Sequence, residues 1–85
     1  NEEYDVVDKF IITQGKIDPR HMHHEDYNNI AYVIECLGTD NMGKLKDILD
    51  REDIDDSEIK ELLENHLYES QVEFIYQVLR EVKYN

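Results

Sequence analysis

The sequence has very few of the residues that cross-link chains or interrupt helices. It contains one cysteine, one proline and three glycines among 85 residues. The single cysteine, Cys36, cannot form a disulfide within the chain, so the fold does not depend on an oxidising compartment. Asn-Gly and Asp-Gly pairs, which are typical of β-hairpin turns, are also absent. A disulfide scaffold is therefore excluded, and a sheet of hairpins is disfavoured.

Long apolar segments are missing as well. No run of apolar residues in the sequence approaches the length of about 20 that a membrane-spanning helix needs. No segment has the pattern of a signal peptide. We therefore expect an intracellular, cytoplasmic protein that does not bind a membrane.

Positive charge is scarce. Nine Lys and Arg residues face 21 Asp and Glu residues, which gives a formal net charge of −12. A surface this negative repels nucleic-acid phosphates and anionic membranes, so we expect no direct binding to nucleic acid. It favours a cationic partner, which would be a metal ion, a basic peptide or a basic-surfaced protein. Solubility alone would also account for the charge.

Apolar residues recur every three or four positions rather than alternating, which predicts an all-α fold. The length fits one domain over residues 1–85. Short connections between the helices favour a compact orthogonal or bundle-like arrangement. We predict five short helices at approximately 3–13, 19–37, 41–51, 56–67 and 71–83.

Capping residues mark three of the predicted helix starts. Asp18 followed by Pro19 is typical of an N-cap and a first helical residue. Asp55 and Glu58 have the spacing of a capping box, with Asp in place of Ser or Thr, and the pair Ser70–Glu73 has the same spacing. Gly38 is predicted to end the second helix.

Three of the four histidines lie within four positions, in the segment Asp18–Asp26, DPRHMHHED. If a helix begins at Pro19, His21, His24 and Glu25 share one face and could converge on a metal ion. No fourth ligand follows from the sequence, so we expect no metal and no other cofactor. We favour a polar helix start that responds to pH near about 6, as histidine can. A metal- or pH-responsive domain using these three residues is the alternative.

Carboxylates are densest from Asp47 to Glu64. This segment contains nine of them and only two cationic residues, Arg51 and Lys60. Carboxylates one helical turn apart are separated by about 5–6 Å. That spacing is close to the spacing of phosphates along a nucleic-acid strand, so such a face can occupy a nucleic-acid-binding groove. Small acidic inhibitors from phages and mobile elements work in this way. A second acidic group lies at the N-terminus and comprises Glu2, Glu3, Asp5 and Asp8.

The charge pattern therefore predicts a non-enzymatic protein-binding module without catalytic residues. It would be a regulator or inhibitor that docks on a basic, nucleic-acid-binding surface of a partner protein. An interaction adaptor of the death-fold kind is a further candidate, which rests on helix count alone. The oligomeric state is left open. The residues predicted to contact the partner are Asp47, Asp50, Glu52, Asp53, Asp55, Asp56, Glu58 and Glu61.

In one register, the segment Asp53–Glu64 resembles an EF-hand calcium loop. It departs from that pattern at the sixth position, where the loop needs glycine and this sequence has Glu58. The interpretation of Asp55 as a helix N-cap accounts for the same residues. We therefore predict a helix here rather than a calcium loop.

Overall fold

The chain folds into five α-helices, with one 3₁₀ turn between the first two. The computed structural model describes residues 2–15 and 17–82. No strand occurs within these ranges, so the all-α prediction is confirmed. The elements are α1 (Glu2–Gly15), the 3₁₀ turn (Pro19–His21), α2 (His24–Glu35), α3 (Thr39–Leu49), α4 (Asp56–His66) and α5 (Glu69–Glu81).

One apolar stripe from each helix forms the core, and α1 packs against α2, α3 and α5. Burying a side chain of this kind contributes about 1.5–3 kcal/mol, so tertiary packing holds helices that would be unstable alone. In α1, Val7, Phe10 and Ile11 are buried, whereas Tyr4, one turn before Val7, is 48% exposed. The most deeply buried side chains are Val7, Phe10, Ile11, Ile30, Ile34, Leu45, Ile59, Leu63 and Ile75.

The prediction of one continuous helix from Pro19 to Leu37 is wrong. Pro19–His21 is a separate 3₁₀ turn, and α2 begins only at His24. Between them, Met22 has extended backbone with φ −76° and ψ 151°. A continuous helix would place Met22 about 100° away from the centre of the apolar stripe, at 3.6 residues per turn. The extended residue instead buries the Met22 side chain in the core, where it is 9% exposed.

The predicted N-caps are confirmed at two of the three starts. The Asp18 carboxylate accepts a hydrogen bond from the Arg20 backbone N–H at 2.9 Å. The Asp55 carboxylate accepts one from the Ser57 N–H at 2.9 Å. Glu58, the predicted second half of this capping box, pairs instead with Arg51.

The predicted start of the fifth helix is wrong by two residues. α5 begins at Glu69, and Ser70 lies within its first turn. The Gln71 side chain accepts a hydrogen bond from the Tyr68 N–H at 2.9 Å. Because Gln71 already satisfies that terminal N–H, the helix can begin earlier than the Ser70–Glu73 box predicts. The helix ends at Glu81, two residues before the predicted end at position 83, and Val82 after it has extended backbone.

Gly38 connects α2 to α3. Its φ of +89° is a backbone conformation that residues with a Cβ atom rarely adopt. An added Cβ at Gly38 would meet no atom within 4 Å, so backbone conformation rather than crowding requires glycine here. The predicted break at Gly38 is confirmed, although α2 ends at Glu35 and α3 begins at Thr39, each two residues earlier than predicted.

Candidate protein-binding surface

The eight carboxylates predicted to contact a partner lie at the end of α3, in the α3–α4 connection and in the first two turns of α4. Seven of them are exposed, and Glu58 is half-buried. We call this set, Asp47 to Glu61, the acidic surface. The prediction that these residues contact a partner stays a prediction, and their solvent exposure is compatible with it.

Two contacts from α1 hold the acidic surface. The Lys9 ammonium pairs with the Asp50 carboxylate, and this hydrogen bond, with the charge of Lys9, holds the pKa of Asp50 below its ordinary value. The Gln14 amide donates to Asp56 Oδ1 at 3.1 Å. Lys9 directly follows Asp8, a member of the second acidic group, so this ion pair joins the elements that carry the two groups. The side chains of Glu2 and Glu3 lie outside the described part.

Two further carboxylates of the set have partners within the connection itself. Asp55 caps α4, and Glu58 pairs with the Arg51 guanidinium. Four of the eight carboxylates therefore have structural roles. The other four make no ion pair or hydrogen bond with the described residues, and they are Asp47, Glu52, Asp53 and Glu61.

An apolar side chain interrupts the acidic surface. Ile54, between Asp53 and Asp55, is 37% exposed. Protein interfaces combine charged rims with apolar contacts near their centre. The acidic surface therefore offers a partner an apolar contact beside its unpaired carboxylates.

The structure does not place the three histidine-segment candidates on one helix face. His21 ends the 3₁₀ turn, whereas His24 and Glu25 begin α2, so the i, i+3, i+4 spacing on a continuous helix does not exist. No group of three or more His, Cys, Asp or Glu residues in the described ranges is positioned to hold a metal ion. The geometric reason for considering a metal here is therefore removed.

The third histidine has a role that the sequence analysis missed. His23 is the N-cap of α2, and its Nδ1 atom accepts a hydrogen bond from the Glu25 backbone N–H at 3.2 Å. An imidazole nitrogen accepts a hydrogen bond only when it carries no proton. His23 lies just before a helical turn that contains Glu25 and Asp26, which is where an N-cap is expected. The sequence carries no clear sign of the cap, because histidine is not among the preferred N-cap residues.

An ion pair fixes the 3₁₀ turn before α2. The Arg20 guanidinium donates to both carboxylate oxygens of Asp18, with a shortest distance of 2.8 Å. These hydrogen bonds, with the one from the Arg20 backbone, lower the pKa of Asp18 to about 2. Asp18 is thus a structural carboxylate and remains ionised at neutral pH.

A hydrogen bond between two helices lies beside this turn. The Tyr27 hydroxyl of α2 donates to Asp8 Oδ1 of α1 at 2.7 Å. The Tyr27 ring stacks on Tyr4, with 6.5 Å between the ring centroids. Burial and the Asp8 hydrogen bond raise the pKa of Tyr27. The hydroxyl therefore remains a donor throughout the physiological pH range.

The EF-hand register does not form. Residues Asp56–His66 are helical, so most of the segment that would supply calcium ligands is helix α4. Asp55 acts as the N-cap, as its spacing from Glu58 suggested. The helix prediction for this segment is confirmed.

No helix within the described ranges is both long enough and apolar enough to cross a membrane. No protein family, curated protein or solved structure matches the chain. The death-fold candidate therefore keeps only the helix count in its favour.

Proposed function

We propose that this chain is a non-enzymatic protein-binding module that docks through its acidic surface on a basic surface of a partner protein. The partner's surface is of the kind that binds nucleic acid, and the chain acts as a regulator or inhibitor by occupying it. The observation that carries the proposal is the set of four exposed carboxylates without partners in the described ranges, in a chain of net charge −12. Arginines and lysines of the partner would pair with these carboxylates.

Contacts at both ends of the α3–α4 connection favour binding. Lys9 holds Asp50 at one end, Gln14 holds Asp56 at the other, and the Arg51–Glu58 pair crosses the connection. A loop that is already ordered loses less conformational entropy when it binds. These contacts support the proposal because they flank Glu52 and Asp53, two of the four unpartnered carboxylates.

The proposal is tested by the salt dependence of partner capture. The full chain is immobilised, exposed to a host lysate at about 0.05 M salt and eluted at about 0.5 M, over which the Debye length shortens from about 14 to 4 Å. We expect a nucleic-acid-binding protein to be retained and then released, and to be displaced by DNA or RNA. Retention of that protein at high salt would contradict a charge-driven contact.

A matched pair of variants separates the acidic surface from net charge. D47N/E52Q/D53N/E61Q changes the four unpartnered carboxylates, and E35Q/D40N/E69Q/E73Q changes four exposed carboxylates elsewhere. Both variants remove the same charge, so nonspecific attraction falls equally. We expect the first to weaken binding at least tenfold and the second at most about threefold, measured by titration with the purified partner. Equal losses would contradict a localised binding surface.

A pH-responsive helix start is the second candidate, and the His23 cap is the observation that favours it. Protonation of His23 Nδ1 would remove the acceptor for the Glu25 N–H. It would also place a positive charge at the N-terminus of α2, where the helix dipole opposes it. Loss of α2 structure on acidification, seen in backbone amide NMR shifts, is the measurement that would support this role.

A further inference from the structure

A groove lies between α4, α5 and the end of α1, separate from the acidic surface. It consists of two open cavities, of about 580 and 500 Å³, which share Lys60, Tyr76 and Arg80 in their walls. Apolar side chains line the first cavity beside the end of α1, and they include Ile17, Leu79 and Val82. Three glutamates line the second cavity, namely Glu64, Glu69 and Glu73.

The two cations of the groove have no ion-pair partner among the residues described. Carboxylates outnumber Lys and Arg 21 to 9 in this chain, yet Lys60 and Arg80 pair with none of those in the described ranges. The Lys60 ammonium lies 5.9 Å from the centroid of the Tyr76 ring. Arg80 follows Tyr76 by one helical turn on the same face of α5. Two positive charges therefore flank a single tyrosine.

The hydroxyl of that tyrosine is the one buried side-chain polar atom in the described ranges that has no hydrogen-bond partner. Leaving a buried hydroxyl unpaired lowers stability, so such a group calls for an explanation. Burial and the charges of Asp56 and Glu64 raise the pKa of Tyr76. The hydroxyl is therefore protonated at neutral pH and can donate to an acceptor.

We propose that the first cavity binds a small amphipathic carboxylate. Its carboxylate would accept hydrogen bonds from Lys60, Arg80 and the Tyr76 hydroxyl. Its hydrocarbon part would pack on Ile17, Leu79 and Val82. The hydroxyl is buried, so neighbouring side chains would move as the anion enters.

The charges around the groove set the ligand's charge and position. Three glutamates line the second cavity and no carboxylate of the described residues lines the first, so repulsion disfavours an anion more strongly in the second cavity than in the first. The net charge of the chain opposes a dianion more strongly than a monoanion. A monocarboxylate therefore fits better than a phosphate ester of the same length.

Hexanoate is the probe that tests the site, with hexanol and hexylammonium as ligands of the same length. Each is titrated into the full ¹⁵N-labelled chain at constant ionic strength, and backbone amide shifts are followed. We expect shifts concentrated around Gly15, Ile17 and Leu79, with a dissociation constant on the order of 1–10 mM for eight non-hydrogen atoms. The proposal would be overturned if hexanol or hexylammonium bound as tightly as hexanoate.

Variants identify the donors. Lys60→Met and Arg80→Met should each weaken hexanoate binding about five- to tenfold, as the loss of a charge-assisted hydrogen bond does. The matched control is Lys44→Met, an exposed lysine of α3 outside the groove, which should change affinity by less than twofold. Hexanoate affinities within twofold of the unchanged chain for both groove variants would refute the site.

Tyr76→Phe separates binding from structure. It removes the unpaired hydroxyl, so thermal stability should stay constant or rise. It also removes a donor, so hexanoate binding should weaken about threefold. A hydroxyl without a role in binding would give unchanged affinity. Glu73→Gln should have the opposite effect on hexanoate affinity, because removing a nearby repulsive charge should strengthen binding.

Discussion

The role of His23 shows how much a single residue's position matters in this fold. Three histidines look alike in the sequence, but only the middle one accepts the hydrogen bond that starts α2. His24 follows as the first residue of the helix, and His21 belongs to the preceding turn. The extended backbone of Met22 separates these roles, because it buries Met22 and ends the turn.

Replacing His23 should weaken the start of α2. His23→Ala should lower the free energy of unfolding by about 0.5–1 kcal/mol, because the Glu25 N–H loses its side-chain acceptor. Urea unfolding measures the change, and His66→Ala at the exposed end of α4 is the control. No loss of stability in His23→Ala would contradict the cap.

The Tyr27–Asp8 hydrogen bond predicts a second residue-scale effect. Tyr27→Phe should lower the free energy of unfolding by about 1–2 kcal/mol, since Asp8 loses its donor. Tyr32→Phe is the control, because Tyr32 is 68% exposed.

Folding raises the pKa of Tyr27 above its ordinary value of 10.0. The hydrogen bond's contribution is therefore complete below pH 10 and declines above it, so the advantage over Tyr27→Phe should shrink between about pH 10 and 11.

At the scale of elements, alanine substitutions at Gly38 and Gly43 should change the free energy of unfolding in opposite directions. Gly38→Ala should lower the free energy of unfolding by about 1 kcal/mol, because alanine is strained at φ +89°. Gly43→Ala should raise it by up to about 1 kcal/mol, because Gly43 lies inside α3 with nothing within 4 Å of an added Cβ. Thermal unfolding of both variants measures the difference. Shifts of the same sign would contradict the connection described for α2 and α3.

The helices also show which parts of the fold were predictable. Apolar stripes and the caps Asp18 and Asp55 depend on residues only a few positions apart, so periodicity and local hydrogen bonding predicted them. The start of α2 was not predictable in this way. It depends on burial of Met22 against other helices, and local spacing carries no information about that contact.

At the scale of the whole molecule, net charge should dominate the effect of salt. Repulsion among the excess carboxylates destabilises the compact chain at low salt. Raising salt from about 0.05 to 0.5 M should therefore raise the free energy of unfolding while it weakens binding to a basic partner.

Neutralising individual carboxylates at low salt should change the free energy of unfolding in opposite directions, depending on whether the carboxylate has a partner. Asp53→Asn should stabilise the chain, whereas Asp50→Asn should destabilise it because Lys9 loses its partner.

Chemical unfolding of both variants at low salt measures this difference. Asp53 lies in the same connection as Asp50 and undergoes the same change of side chain, so the two serve as each other's control. Stabilisation by both substitutions would contradict a net stabilising role for Asp50, because relief of repulsion would then outweigh loss of the Lys9 pair.

The helical class, the apolar stripes and the exposure of the acidic run follow from composition and from spacings within one or two helical turns. Contacts of Asp50 and Asp56 with α1 depend on how the helices pack, because Lys9 and Gln14 reach these carboxylates from about 40 positions away in the chain. Helix packing likewise places Lys60 and Arg80 with Tyr76 in the walls of one groove. Such pairings depend on how helices pack, which is a long-range property that local patterns do not contain.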